Sequence, residues 1–520
     1  MCSIEEGDLA DLRAREEAQH LKAQALSDTG PTLCQKCRSA PAVLLLRVND
    51  IYCRDCFVAA FTHKFRSTLG KSRLLRPDEP ALVAFSGGVA SSVLARLVSD
   101  GASQTDSKRL RLRPGLLMVD ESAVVPEQDV KEVERLAGTY RVPVYRAKLE
   151  AVMGDSGAPV VERVNCKLKE ESTGDDGGTE SSQAPPEAAS CDSVSSEAAV
   201  LPDEARLAEL RAQLQQLWSA AGSGTAREQL LERLRSELLA RAALQLGIRL
   251  LLLADTETRL AVSLLSGLAG GRGAHAHQQT ALADRRHGER LLVLRPLREL
   301  SSKQVALFAH HCRVQYVPGV GPDTMAPASA SIGRATEEFV LGLQASFPAT
   351  VSTVYRTGTK LSAVGAMTED CALCRLPLDT SGGAASALQA TRFSQMVSSS
   401  GPDRFQYDQH SADTAAGHSR ATVLPPAAGN GSCGTDTPRC VESGGACCGG
   451  GGERCGSAQT VSRKPSREEL LERLCYGCQL VVKDMKEVDN IPSFVTEEVA
   501  VRTRRENMRK EIQDFLIEDS

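Results

Sequence analysis

The chain lacks long apolar runs and any excess of positive charge. Among its 520 residues, no stretch approaches the ~20 consecutive apolar residues of a membrane-spanning helix. The amino terminus is acidic and helical in character and has no apolar core of a secretory signal. These absences predict a cytosolic or nuclear protein without a membrane segment. The formal net charge of −5 excludes a uniformly basic nucleic-acid binder but allows a local basic face.

Cysteine is abundant, and its spacing indicates metal binding. The missing secretory signal argues against a disulfide framework for the 17 cysteines. The CxxC pairs are Cys34/Cys37, Cys53/Cys56, Cys371/Cys374 and Cys475/Cys478. The first two pairs have the spacing of a four-thiolate zinc knuckle. The last two flank a long low-complexity segment, but the cost of loop closure grows only logarithmically with loop length, so a second zinc site is expected.

Apolar runs alternate with helical patterns in the central region. Buried strands are predicted at 81–85, 115–119, 142–145, 249–254 and 290–294. Helices are predicted at 91–99, 130–139, 226–246 and 302–311. Strands that alternate with helices favour an α/β fold with a doubly wound parallel sheet, which binds its ligand beyond the carboxyl ends of the strands.

The other segments divide the chain around this core. Stretches rich in Gly, Ser and Glu predict disordered inserts. The predicted bounds are 1–30 for an acidic tail, 31–60 for the first knuckle, 61–76 for a basic linker helix, 77–365 for the α/β domain with an insert at 155–202, 366–379 with 466–520 for the second knuckle and tail, and 380–465 for a second insert.

The sharpest local motif is a strand that runs into two glycines and then into a helix. Its residues are Ser86, Gly87, Gly88, Ser91 and Ser92. Glycines let backbone N–H groups approach a phosphate, serine hydroxyls can donate to it, and the helix amino terminus adds a favourable dipole. A tight turn without a ligand has the same pattern, but the alternating strands and helices around it favour an anion site.

Basic residues are concentrated just before this loop. Lys64, Arg66, Lys71 and Arg73 lie in one segment, and such a concentration suits an RNA backbone. The alternative is an ordinary solvated helix face. A second basic cluster at 108–113 is interpreted as a solvated face.

The SGGxxSS loop after a strand resembles the phosphate loop of the PP-loop ATP pyrophosphatases, which adenylate a carbonyl and release pyrophosphate. The resemblance implies ATP with Mg²⁺ as a cofactor. The loop of that superfamily usually reads SGGxDS, and here Ala90 stands at the aspartate position. The carboxylate that would help to organise metal and nucleotide is therefore missing.

Further motifs narrow the resemblance to one family. Knuckles on both sides of a PP-loop domain, together with the strings at 53–57, 63–66, 268–274, 347–357 and 516–520, resemble the cytoplasmic tRNA 2-thiolation protein 2 family. The resemblance implies a cytoplasmic heterodimer with the catalytic paralogue, cytoplasmic tRNA 2-thiolation protein 1. It also implies that this pair moves sulfur from a thiocarboxylated ubiquitin-related modifier onto the wobble uridine of tRNAs for Lys, Glu and Gln.

Departures from the catalytic members of that branch predict a non-catalytic subunit. Catalytic members carry a core CxxC and a further downstream cysteine, whereas residues 206–253 and 316–320 contain none. Residues 254–258 keep only part of an acidic signature, and Ala90 replaces the loop aspartate. Two alternatives stay open from the sequence: a self-sufficient PP-loop ligase or amidotransferase, and a zinc-binding RNA scaffold whose nucleotide fold is only a packing surface.

Overall fold

The computed structural model describes residues 33–46, 50–105, 109–125, 129–164, 203–318, 327–361, 369–380 and 464–513, with 391 and 395. Contacts divide the chain into two compact units, Met1–Ala390 with Lys464–Ser520, and Thr391–Arg463. The strands and helices with defined bounds all belong to the first unit. Within the described residues, every helix is too short or too polar to cross a bilayer.

A seven-stranded sheet forms the centre of the first unit. The strands are β1 Leu44–Leu45, β2 Ile51–Tyr52, β3 Glu79–Ala84, β4 Leu112–Asp120, β5 Val144–Lys148, β6 Val161–Val164, β7 Leu250–Leu252, β8 Ala283–Asp284 and β9 Leu292–Leu294. β1 and β2 form a separate antiparallel ribbon. The sheet order is β6-β5-β4-β3-β7-β9-β8, with antiparallel strands only at its edges. The predicted α/β class is confirmed.

Helices cover the sheet and connect its strands. They are α1 Arg54–Ser72, α2 Val89–Ser103, α3 Val130–Gly138, α4 Glu204–Ala220, α5 Gly224–Gln245, α6 Glu257–Ala269, α7 Ala276–Thr280, α8 Ser302–His311, α9 Ile332–Ser346, α10 Thr350–Gly358, α11 Arg467–Glu472, α12 Tyr476–Asp484 and α13 Ser493–Gln513. The chain moves from β3 through β4 and β5 to β6, then returns to the other side of β3 at β7. This reversal creates a topological switch point, where such sheets bind ligands.

The apolar strands are buried because both faces of the sheet are covered. Leu82 and Leu251 belong to one hydrophobic cluster, and their chain neighbours Val83 and Leu252 belong to the other. Successive side chains of a strand point to opposite faces, so the two clusters are the two layers of core. This double burial explains why the predicted strands read as continuous apolar runs.

The predicted boundary at residue 60, between the first knuckle and a basic helix, is wrong. A single helix, α1, begins at Arg54 inside the second CxxC and continues to Ser72. Phe57, Phe61 and Phe65 repeat once per turn and are all buried, and the Phe61 ring stacks on Phe308 of α8 at 4.3 Å between centroids. The apolar repeat starts within the knuckle, so the helix starts there too.

The predicted insert at 155–202 begins too early. β6 lies within it and pairs antiparallel with β5, and Val160 and Val161 are buried. The apolar run is short and is surrounded by glycine, serine and acidic residues, so composition averaged over the segment concealed it. Residues 165–202 of this insert, the tail at 1–30 and nearly all of 380–465 lie outside the described residues.

The carboxyl-terminal segment is embedded in the core of the first unit. Leu474, Val481 and Phe494, from the region of α11 to α13, belong to the same buried cluster as Leu214 of α4 and Leu238 of α5. The predicted second knuckle is therefore part of the main body.

Candidate functional site

The glycine loop lies at the switch point, after β3 and before α2. Gly87 has φ +78°, a left-handed conformation that favours glycine, and a Cβ there would lie 2.9 Å from Cγ2 of Val133. Both conditions require glycine. Gly88 precedes α2, and no side chain caps this helix end. The first-turn N–H groups, which lack intrahelical partners, therefore suit an anion.

The loop serines have different positions. Ser86 is exposed, and its Oγ lies 3.2 Å from Oγ of Ser91. Ser92 is fully buried and donates to the carbonyl oxygen of Gly87 at 3.1 Å. The N–H of Val317 donates to the same carbonyl at 2.9 Å, so the segment after α8 covers the loop. Ser92 holds the loop in shape, and Ser86 presents a hydroxyl to the solvent.

At two positions beside the loop, no free carboxylate is available to bind Mg²⁺. Ala90 occupies the first turn of α2, where the superfamily pattern has aspartate. Asp255 follows β7, and its carboxylate accepts from Nε of Arg295 at 3.0 Å and lies 3.6 Å from Arg259. Residue 90 is thus apolar, and the carboxylate of Asp255 is already paired with arginines.

The four predicted RNA-binding residues fall into two pairs. Lys64 donates to the backbone carbonyl of Glu299, and Arg66 donates to Oε1 of Gln104 at 2.6 Å. Lys71 and Arg73 are exposed. Lys64 and Arg66 therefore hold α1 against the body, whereas Lys71 and Arg73 face the solvent. Their binding of RNA stays a prediction.

The basic segment and the glycine loop lie at opposite ends of α2. Gln104, the partner of Arg66, follows the last residue of this helix, and Gly88 precedes the first. The 15 residues of α2 separate these points by about 22 Å at 1.5 Å per residue. The structure does not bring the two predicted sites together.

The amino-terminal cysteine pairs converge on one point at the edge of the β1–β2 ribbon. The sulfur atoms of Cys34, Cys37, Cys53 and Cys56 lie within 4.8 Å of one another. Sγ of Cys37 is 3.9 Å from Sγ of Cys53. Tetrahedral zinc with Zn–S bonds of ~2.3 Å places its sulfurs ~3.8 Å apart, so the cluster fits such an ion.

Proton affinities differ within this cluster. Hydrogen bonds from Ser39 lower the pKa of Cys37 to about 6. The hydrogen bond with Cys53, together with burial, raises the pKa of Cys56 to about 12. Thiolates are the metal-binding form, so a cation bound here would displace the proton of Cys56.

The carboxyl-terminal pairs also converge, although a long segment separates them in sequence. The sulfur atoms of Cys371, Cys374, Cys475 and Cys478 lie within 4.8 Å of one another, and all four residues are buried. Sγ of Cys374 is 3.7 Å from Sγ of Cys475, again the spacing around a tetrahedral ion. Four thiolates leave no open coordination position, which is typical of a structural site.

A buried arginine contacts the carboxyl-terminal cluster. Arg233 of α5 is 4% exposed, and its Nε donates to Sγ of Cys478 at 3.0 Å. Burial lowers the pKa of Arg233, but the charges of Cys478 and Glu232 raise it above its usual value. The guanidinium therefore stays charged. Four thiolates around a divalent ion would carry a surplus of negative charge, which this arginine would offset in the buried core.

The string at 268–274, noted in the sequence, supports this cluster. Gly271 has φ +76°, and a Cβ there would lie 2.6 Å from Cε1 of Tyr476. A Cβ on Gly477 would collide with Cγ of Arg272. The close approach of the two segments therefore requires glycine on both sides, and the N–H of Tyr476 donates a hydrogen bond to Oδ1 of Asp379 at 2.9 Å.

Sequence reasoning missed Arg233 and the role of Gly477. Arg233 lies on a helix far from both CxxC pairs in the chain, and no local pattern marks it as a neighbour of thiolates. Gly477 stands inside the last CxxC, and a small residue between two ligands was the one available signal.

The fold and its sites define an α/β protein with a glycine loop at the switch point of its sheet and with two four-cysteine clusters. The family model "Cytoplasmic tRNA 2-thiolation protein 2" matches residues 331–480. Cytoplasmic tRNA 2-thiolation protein 2-B of Xenopus laevis is 35% identical over 516 residues, which cover 94% of each chain. Cytoplasmic tRNA 2-thiolation protein 2 of Homo sapiens is 33% identical over 522 residues, which cover 94% of this chain and 93% of that one.

Among solved structures, the U34-tRNA thiolase NcsA from Methanococcus maripaludis with its 4Fe-4S cluster is similar, with a TM-score of 0.45 and 13% identity. The match covers 68% of this chain and 95% of that one. The extent and identity of the sequence matches are decisive: the chain belongs to the cytoplasmic tRNA 2-thiolation protein 2 family.

Proposed function

We propose that this chain is the non-catalytic subunit of the cytosolic complex that 2-thiolates the wobble uridine of tRNA. It pairs with the catalytic paralogue, cytoplasmic tRNA 2-thiolation protein 1. The pair transfers sulfur from a thiocarboxylated ubiquitin-related modifier to tRNAs for Lys, Glu and Gln. Family membership supports the link to tRNA thiolation and the cytoplasmic location.

The non-catalytic assignment rests on the residues in and beside the glycine loop. Its shape is retained through Gly87 and Ser92, but Ala90 replaces one carboxylate and Arg295 pairs with another, Asp255. Adenylation of a uracil oxygen depends on a metal that neutralises the phosphates of ATP. A loop without free carboxylates at these positions binds that metal poorly. We therefore assign adenylation to the paralogue, and to this loop a vestigial or regulatory nucleotide site that includes Ser86, Gly88 and Ser91.

Both cysteine clusters are proposed to hold zinc. Their sulfur spacings of 3.9 and 3.7 Å suit tetrahedral thiolate coordination. Bound zinc would join distant segments of the chain, and it has no redox role in this proposal. Metal analysis of the purified chain, with zinc and iron measured together, distinguishes zinc from an iron–sulfur cluster.

The subunit assignment is tested with purified full-length proteins. Pyrophosphate release from ATP and 2-thiouridine formation in tRNA are measured for this chain, for the paralogue and for their mixture, each with the thiocarboxylated modifier as the sulfur donor. We expect release by this chain to stay at background and the mixture to thiolate tRNA. Release by this chain alone at the rate of the mixture would refute the assignment.

The loop itself is tested in the mixture with Ser86→Ala, which removes only an exposed hydroxyl. A reduced response of thiolation to ATP concentration supports a regulatory nucleotide site. Unchanged thiolation at every ATP concentration favours the scaffold alternative, in which the loop is only a packing surface.

A further inference from the structure

Exposed arginines lie together at the amino edge of the sheet, opposite to the glycine loop. Two precede β3, three lie at or just before the start of β4, and one precedes β5. All are exposed. The residues of this surface, named the arginine edge, are Arg73, Arg76, Arg109, Arg111, Arg113 and Arg141.

The arginine edge is one continuous surface. β3 pairs with β4 and β4 with β5, all in parallel, so their three starting turns are neighbours. Adjacent strands lie about 4.8 Å apart. The N–H of Asp78 donates to the carbonyl of Arg111, and Nε of Arg113 donates to the carbonyl of Asp78, each at 3.0 Å. Hydrogen bonds therefore join the first two turns directly.

Little negative charge opposes these arginines. Among the described residues of the three turns, 73–79, 109–113 and 139–143, the acidic side chains are Asp78 and Glu79. Asp78 is exposed, whereas Glu79 is buried and pairs with Arg249 at 2.7 Å. The surface has a strong excess of positive charge within a chain whose net charge is −5.

Two of the arginines occupy strained backbone positions. Arg73 ends α1 with φ 52°, and Arg141 lies in the turn after α3 with φ 54°. Glycine adopts this left-handed conformation without the steric cost that a Cβ brings. An arginine at a position that glycine would fill more readily favours a role for the charged side chain itself.

The edge that carries the glycine loop has the opposite character. Asp120 ends β4 and Glu121 follows it, Glu150 follows β5, and Asp255 and Glu257 follow β7. Two of these carboxylates are ion-paired with arginines. A polyanion is attracted to the amino edge more strongly than to this one.

We infer that the arginine edge binds the phosphate backbone of tRNA. Guanidinium groups bind phosphates with paired hydrogen bonds and without regard to base sequence. The inference rests on the proposed function and assigns this subunit's share of tRNA binding. The six residues of β3 place the surface about 20 Å from the glycine loop. Contacts there hold the tRNA body while the paralogue acts on the wobble base.

The test uses the complex of full-length chain and paralogue with an unmodified tRNA Lys transcript. The variant Arg76→Gln, Arg111→Gln, Arg141→Gln removes three charges from the surface. Its matched control, Arg206→Gln, Arg285→Gln, Arg505→Gln, removes three exposed charges elsewhere. We expect the variant to lose at least tenfold in affinity at 0.1 M salt and the slope of log K against log salt to fall by roughly 2–3. The control should change affinity less than twofold.

Unchanged affinity and slope in the variant would overturn the inference. Equal losses in variant and control would also overturn it, because net charge rather than this surface would then be responsible. Lost pairing with the paralogue, with tRNA affinity of the free chain retained, would make the surface a protein interface instead. The proposed function fails by a separate result, normal 2-thiouridine in cells that lack the chain.

Discussion

The two clusters each consist of four cysteines but have different surroundings. In the amino-terminal cluster Cys37 is exposed, and the ligands border a two-stranded ribbon. In the carboxyl-terminal cluster all ligands are buried in the main core, and Arg233 contacts one sulfur. The first cluster fastens a peripheral segment, whereas the second joins two distant parts of the chain inside the fold. Identical ligand sets can therefore contribute very different amounts to stability.

The largest difference is expected between Cys475→Ser and Cys37→Ser. Cys475→Ser should lose its metal and destabilise the whole first unit by roughly 4 kcal/mol or more, because it leaves thiolates uncompensated in the core. Cys37→Ser should lose its metal with a loss of only about 1–2 kcal/mol. Metal content per chain and urea unfolding measure both. Equal destabilisation by the two variants would contradict the comparison.

The docking of the amino-terminal cluster is tested with Phe61→Ala. This substitution removes the stack on Phe308 and leaves a cavity under α1, at a cost of about 3–4 kcal/mol. Protease cleavage after α1 should become faster, while metal at the carboxyl-terminal cluster is retained. Leu45→Ala, at an exposed position of the ribbon, is the control and should change neither. Loss of both metals would show that the clusters are not independent.

The substitution Arg233→Met tests the role of the buried charge beside the carboxyl-terminal cluster. Removing this contact should weaken metal binding at the carboxyl-terminal cluster by about 10–100-fold, because groups that hydrogen-bond to ligands tune their affinity. Competition with a chelator measures the change. Arg235→Met on the same helix, whose side chain pairs with Glu121, is the matched control and should leave metal affinity unchanged. Arg233→Lys should restore part of the loss, and a failure to separate Arg233→Met from the control would refute the role.

The smallest predicted effect concerns acid pH. Burial lowers the pKa of His287, near Glu237 and Arg375, to about 4 from its usual 6.5. Between these values the unfolded chain binds a proton that the folded chain does not, so stability falls as pH decreases from 6.5 towards 4. His287→Gln should reduce this loss by about 1–2 kcal/mol at pH 5. Urea unfolding of the unmodified chain and of His287→Gln at pH 7 and pH 5 measures the change. An equal decrease in the free energy of unfolding from pH 7 to pH 5 in both proteins would contradict this prediction.

Much of the fold could be predicted because its signals are local. Each predicted parallel strand and each CxxC pair is specified by a few consecutive residues. The structure places these strands and pairs as expected. The edge strands β6 and β8 could not be predicted, since they are short and depend on neighbours for hydrogen bonds. The contact of Arg233 with Cys478 joins residues far apart in the chain, and no single-sequence pattern encodes it. The separation of Arg66 from Gly88 along α2 likewise required the three-dimensional structure.

The central claim is that the chain serves in tRNA 2-thiolation, and the wobble 2-thiouridine content of cellular tRNA tests it most directly. Cells that lack the protein are compared with cells in which the intact chain or the Cys475→Ser variant is expressed again. We expect loss of 2-thiouridine, recovery with the intact chain and no recovery with the variant. Normal 2-thiouridine in cells without the protein would contradict it.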